Sequence, residues 1–263
     1  MNSRSFWWGF KVSSVKRIAL SGILIAIGVI FNKVVQIGYP YIPVPFVRIA
    51  FGGPALIMLA GLLLGPIYGA FIGAMVDVLG YFIFDIKTFG FFPLITLTYL
   101  LLGFFAGILF GFIIKLKDKK KMQIIMYSIL ALVLVAISLV IVFSDNIAFI
   151  VNSGYKFDLW MKIAFPIMMF ALYVMMIIFM QIADKKIKND ENRVFNIYQI
   201  GFASFLLDFF IMCLFGSLMK GLSFSMDLFL VILITQFMTM FFTIPFNTLL
   251  LTTLDPIIRK FGK

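Results

Sequence analysis

The chain has 263 residues, of which 63% are hydrophobic and 17% aromatic, with a mean hydropathy of +1.13 and a formal net charge of +11. A soluble domain is roughly half apolar, so this composition excludes an ordinary soluble globule. With one cysteine (Cys213) and no histidine, the chain can form no intrachain disulfide, no His-based zinc site and no Ser-His-Asp triad.

The apolar residues come in long uncharged blocks, enough to cross a hydrocarbon core of about 30 Å as helices. In chain order, helices are expected at 18–37, 51–65, 66–84, 91–114, 123–144, 160–183, 195–219 and 228–254. The chain therefore reads as an all-α polytopic membrane protein with about eight transmembrane helices. The first helix follows Arg4, Lys11, Lys16 and Arg17. It is too long for a signal-peptide core and lacks a cleavage site, so it is expected to be retained. The second helix is short and meets the third at Gly65–Pro66, a natural break because Pro disfavours helix in the residue before it.

The basic charge is distributed unevenly. Most of the 22 Lys and Arg residues fall in 1–17, 115–121, 184–194 and 255–263. Those segments all lie on one side if both termini are cytoplasmic, as the positive-inside rule requires. The run KLKDKKK at 115–121 reads as a topology anchor, with contact to membrane lipid or a partner protein as the alternative. The net charge thus needs no nucleic-acid partner.

Glycines at 61, 65, 69, 73 and 80 alternate with Ala70 and Ala74, and Gly22 and Ala26 repeat the four-residue spacing on the first span. Small residues so spaced let helix backbones approach closely in a membrane, either within the chain or against a partner. Two carboxylates lie inside expected spans, Asp77 and Asp208. Intramembrane acids mark ligand sites, proton relays or aspartyl enzymes, but neither has the Gly-x-Gly-Asp flank of an aspartyl protease. No Gly-x4-Gly-Lys-Ser/Thr phosphate loop is present.

Four pieces between residues 47 and 111 carry a resemblance. They are Arg48–Gly52 (RIAFG), LAGLLLGP at 59–66, GAFIGAMVDVLGY at 69–81 and GFFPLITLT at 90–98. In this order and spacing they resemble the substrate-binding (S) component of energy-coupling-factor (ECF) vitamin transporters, most of all its folate-specific branch. LIAIGVIFNKV at 24–34 is similar to the family's first helix, with Lys33 where an Arg is expected, and TIPFNTLLL at 243–251 to its last. The basic and Asn residues that the family carries before that Ile-Pro are here Gln236, Thr239 and Met240. The family has six helices. Residues 17–117 and 193–258 would form that core, and 118–192 an inserted two-span segment whose expected place is lipid-facing.

The resemblance implies a multi-pass protein of a bacterial plasma membrane. It binds a vitamin from outside without catalysis or cofactor, and works with a transmembrane T component and two ATP-binding subunits. Gly22 and Ala26 would be the docking face for that partner. Asp77 would accept the adjacent N–H donors of a pterin in a bidentate pair, or else bond a neighbouring helix through Tyr81 or Thr96. Lys33, Arg48 and Lys87 would draw in the anionic tail of a folate, with Arg48 as a carboxylate clamp or an interfacial anchor. Phe51, Tyr81, Phe91 and Phe92 would stack on a flat ring or fill the core. The stiff outer loop GYPYIPVPF at 38–46 would act as a gate. Other vitamins, such as riboflavin or thiamin, remain open. So do an intramembrane aspartyl enzyme using Asp77 and Asp208 and a proton-coupled carrier.

Overall fold

A computed structural model describes residues 14–38, 48–50, 52–86, 90–113, 115–116, 118–143, 159–187, 196–224, 226 and 229–254. Of the residues singled out above, Phe51, Lys87 and the side chain of Arg48 lie outside the described residues, as does most of the 38–46 loop.

The helices are α1 (Ser14–Lys33), α2 (Gly53–Leu64), α3 (Pro66–Gly80), α4 (Pro93–Ile113), α5 (Lys119–Phe143) and α6 (Leu159–Ile187). They are followed by α7 (Ile197–Leu207), α8 (Gly216–Phe224) and α9 (Phe229–Thr253). Two wider π-helical segments join them: Tyr81–Asp85 extends α3, and Asp208–Phe215 links α7 to α8. Among the described residues seven runs are long and apolar enough to cross a membrane: α1, α3 with its π turn, α4, α5, α6, α7 through α8, and α9. The eighth expected helix, α2, has only 12 residues, about 18 Å of rise. The all-α polytopic architecture is therefore present, with one helix that does not reach across on its own.

A short antiparallel pair departs from the purely helical expectation. Strand β1 (Gln36–Gly38) pairs with β2 (Arg48–Ala50), with Gln36 opposite Ala50, Ile37 opposite Ile49 and Gly38 opposite Arg48. Its backbone hydrogen bonds bring together the two ends of the proline-rich segment that follows α1.

Gly65 sits between α2 and α3 at φ 91°, a left-handed conformation that favours glycine. Pro66 then starts α3 where its missing N–H costs nothing. This tight reversal sets α2 and α3 side by side against α4. A methyl placed on Gly61 would strike Gly103 O and Gly107 N; one on Gly69 would strike Gly103 O; and one on Gly73 would strike Tyr99 O. Most of the glycine face is thus spent inside the molecule. Gly22 is different: a methyl there would meet nothing within 4 Å.

The core has two centres. One lies among α1, α2, α3, α4 and α7 around Ile57, Met58, Ile72, Leu102 and Ala106. The other gathers Met126, Leu130, Met169 and Met176 from α5 and α6 against Phe237 and Phe241 of α9. Residues 118–192 are therefore more than the lipid-facing addition expected above. One face of α5 and α6 is core, and the other turns Leu132, Val135, Ile163 and Ile167 outward. Gln199 closes the base of this segment. Its carbonyl accepts from Asn196 N at 2.9 Å in a capping box, while its amide donates to Leu116 O at 2.9 Å and to Ile113 O at 3.4 Å. The start of α7 is thereby tied to the end of α4.

The glycine contacts predict an asymmetric response to the same substitution. Gly103→Val, forced against the α3 backbone, should destabilise the chain by about 1–3 kcal/mol or more. Gly22→Val, in open space, should leave the thermal midpoint in detergent near that of the parent. Equal melting curves for the two variants would contradict the packing described.

Candidate functional site

Helices α3 and α4 run antiparallel, and their contacts form successive rungs. Gly69 meets Gly103, and one turn further along α3, Gly73 meets the Tyr99 carbonyl. Residues four apart share a helix face, so the next rung joins Asp77 to the turn of α4 before Tyr99. There Thr96 Oγ1 donates to Asp77 Oδ2 at 2.7 Å. One turn beyond, the Tyr81 ring lies 5.2 Å from that of Phe91. The glycine stripe thus delivers a carboxylate and an aromatic pair to one end of the bundle.

Asp77 is 6% exposed. Among the described residues Thr96 is its one hydrogen-bond donor, and a carboxylate accepts several such bonds. The Thr96 contact is the helix-to-helix bond anticipated for this residue, and it leaves the other carboxylate oxygen with no donor from the described residues. The charges whose fields reach Asp77 are Lys33, Asp85 and Lys220.

Lys33 closes α1, and its ammonium lies 2.6 Å from Asp85 Oδ2, with both side chains 14% exposed. Its stem lies along Gly80, where a methyl would come within 2.7 Å of Lys33 Cε. Lys33 is thus held in an ion pair at the mouth of the site rather than standing as an isolated outer cation. Beside it, Tyr99 Oη donates to Asn32 Oδ1 at 3.3 Å. The other aromatics divide: Phe91 also stacks on Phe82, with centroids 6.2 Å apart, whereas Phe92 packs edge-on against Phe224 of α8 at 4.3 Å. Phe91 is exposed and Phe92 half-buried.

The structure therefore brings Asp77, Thr96, Lys33, Tyr81, Phe91 and Phe92 to one end of the bundle. Asp85, Asn32, Tyr99 and Lys220 join them and were missed in the sequence. Asp85 and Lys220 were available as span-edge charges, but no local pattern linked them to Asp77. Gly22 and Ala26 lie elsewhere, on the exposed face of α1 that also carries Ile18, Ile23 and Ile30.

Asp208 belongs to a different place. It is 2% exposed, and its Oδ2 accepts from Thr243 at 3.0 Å and from Asn247 Nδ2 at 3.1 Å. Both donors sit on α9, one turn apart. Among the described residues Asp208 and Asp77 share no hydrogen-bond partner. The pair-of-acids arrangement that an aspartyl enzyme needs, with two carboxylates on one reacting atom, is not what these contacts form.

A family model described as ECF transporter, substrate-specific component, matches residues 16–183, which is more than half of the chain and takes in α1 through most of α6. No curated protein matches the chain significantly, and no solved structure does.

Asp208 is expected to act as a tie between α7 and α9. Asp208→Ala should lower unfolding stability by about 1–3 kcal/mol, because the buried Asn247 amide loses its acceptor. Asp208→Asn, which keeps a carbonyl oxygen in place, should lose less. Denaturant unfolding of the purified chain would measure both, and a stable Asp208→Ala would remove the structural role.

Proposed function

The chain belongs to the family of ECF transporter substrate-specific components, and we propose that within it the chain binds folate or a closely related reduced pterin vitamin. Members of this family are transport subunits. They span the membrane, hold the transported ligand and work with a T component and ATP-binding subunits, which fits a chain with no phosphate loop of its own.

The observation that carries the folate reading is the state of Asp77. A carboxylate in a membrane span costs several kcal/mol unless it faces the interior and finds partners. Asp77 faces the interior but, among the described residues, takes only one neutral hydroxyl, from Thr96. A pterin edge offers two adjacent N–H donors, which a carboxylate accepts side by side in a charge-assisted pair. Tyr81 and Phe91 supply an aromatic wall one turn outward, suited to a flat heterocycle. Lys33, though paired with Asp85, keeps positive charge at the mouth, and Arg48 and Lys87 add to it in the reading from sequence. The tail of a folate is anionic and would be drawn there.

In this reading ligand enters from outside, the protein sits in a bacterial plasma membrane, and delivery inward is driven by ATP hydrolysis on the partner subunits. Residues 17–117 and 193–258 act as the ligand-handling unit, and 118–192 add two spans that brace α7 and α9. The Gln199 bridge between the ends of α4 and α7 supports that division. The family match runs through both added helices, so the division rests on packing. The exposed small residues Gly22 and Ala26 of α1 are the surface on which the T component docks.

Two experiments test this reading. The first is to purify the chain in detergent, denature it and identify released small molecules by mass spectrometry, then titrate folates. Recovery of a reduced folate is expected, and Asp77→Asn should weaken its binding by about tenfold to a hundredfold, the range for a hydrogen bond to a charged group. Release of an unrelated vitamin, or a parent chain that ignores folates, would overturn the ligand assignment. The second is co-purification with the partner subunits. Gly22→Leu should abolish assembly while leaving ligand affinity within about twofold, since no described atom lies near Gly22. Intact assembly would place the docking face elsewhere.

A further inference from the structure

Lys220 stands out as a charge in a membrane run that has no partner among the described residues. It lies on α8, half-buried, within the membrane-crossing run Ile197–Phe224. Among the described residues it enters no ion pair and no hydrogen bond. A lysine near the end of a span that turns inward and meets no counter-charge still carries a cost, and such residues mark ligand paths and binding sites. Snorkelling to the lipid surface is the ordinary escape. The lipid side of α8 is taken by Leu218 and Leu222, both exposed, and residues two apart on a helix point to opposite sides. Lys220 points the other way, toward α4, and the titratable groups near enough to interact with its charge are Cys213 and Asp77.

The register between α8 and α4 fixes where it points. A methyl built on Gly216 would lie 3.2 Å from Thr98 Cγ2, and the Phe224 ring sits 4.3 Å from that of Phe92. Gly216, Lys220 and Phe224 are four apart and form one stripe. Lys220 is midway along it, so it falls level with the turn of α4 that carries Thr96. Thr96 is the donor to Asp77 from the other side. Asp77 and Lys220 therefore flank one turn of α4, each within the other's field, yet they do not close into a salt bridge.

An anion and a cation held apart at one level suit a ligand edge that presents donors to one and an acceptor to the other. A 2-amino-4-oxo pterin has such an edge: the 2-amino group and the ring N3–H donate, and the adjacent O4 accepts. We infer that Lys220 is a specificity-determining residue that donates to O4 while Asp77 accepts from the neighbouring N–H groups. This rests on the pterin reading above and adds to it a chemical selection. A 2,4-diamino pteridine carries an amino group in place of O4. It would turn a donor toward the Lys220 ammonium and leave that ammonium without an acceptor.

The test uses tail-less rings, so that carboxylate tails cannot contribute. Binding of 6-hydroxymethylpterin and of 2,4-diamino-6-hydroxymethylpteridine to the purified full chain would be measured calorimetrically. The parent should prefer the 4-oxo ring by about tenfold to a hundredfold. Lys220→Met should weaken the 4-oxo ring about tenfold and leave the diamino ring little changed, shrinking the ratio by that factor; the preference that remains belongs to Asp77, because the diamino ring also lacks the N3–H. Lys220→Arg, which retains charge and donors, should keep most of the preference. An unchanged thermal midpoint for Lys220→Met would show that the loss is not one of folding. If Lys220→Met leaves the ratio as it was, or weakens only full-length folate and neither bare ring, Lys220 does not read O4 and the inference fails while the folate assignment stands. A parent chain that binds neither ring would remove the pterin reading and this inference with it.

Discussion

The close approach of α3 to α4 is the constraint on which the outer site depends. Two helices whose backbones touch at Gly69–Gly103 and at Gly73–Tyr99 have almost no freedom to slide or rotate relative to each other. In a bilayer there is no hydrophobic force between helices, so such contacts, through van der Waals packing, do much of the holding. Their register then continues outward by helix periodicity: glycine on backbone, acid on hydroxyl, tyrosine on phenylalanine. Asp77 lies level with Thr96 because four residues earlier there is no side chain to keep the backbones apart. A larger residue at position 73 would displace the Asp77 carboxylate without touching it.

The charged groups of the spans sort by how they are partnered. Lys33 and Asp85 neutralise one another at the end of α1 and the π turn after α3. Asp208 is met by a hydroxyl and an amide on α9 and so fastens the second half of the molecule. Among the described residues Asp77 and Lys220 are under-partnered, and the register of α3 and α8 on α4 sets them at one level. Burying a charge without full compensation is destabilising, and a fold retains such groups where a ligand completes them. Asp208, with two donors, and Asp77, with one among the described residues, differ in partners though not in burial, and that contrast is what supports a brace at the first and the proposed binding role at the second.

Much of this was legible in the sequence. Apolar block length located the spans, and the Gly65–Pro66 break located the α2–α3 reversal. The Gly-x3-Gly spacing marked the tight face, and Asp77 and Thr96 both emerged from one resemblance. What escaped notice was non-local. Periodicity says which residues share a helix face, but not which distant helix covers that face. Lys220, Gln199 and the Thr243–Asn247 pair acquire meaning only when α8 is seen against α4, α7 against the end of α4, and α9 against Asp208. The π segments add a second obstacle, because a wide turn at Asp208–Phe215 shifts the phase of every residue after it. Lys220 follows that shift, so a regular 3.6-residue count from α7 would set it on a different face.

Helix α1 joins the two halves of the proposed function. Its inner stripe is pressed on α3, where a methyl on Gly28 would come within 2.8 Å of Val76 Cγ2, the neighbour of Asp77. Its last residue, Lys33, reaches across to Asp85. Its outer stripe, with Gly22 and Ala26, is open. A helix is stiff along its axis, and close packing makes interfaces switch between discrete arrangements rather than deform smoothly. Under the proposal, ligand that draws Asp77 or perturbs the Lys33–Asp85 pair would act on the same rigid element that presents the proposed docking face. The proposed ligand mouth and the proposed docking face would then be separated by the width of one helix, and no longer route through the bundle would be needed to connect them.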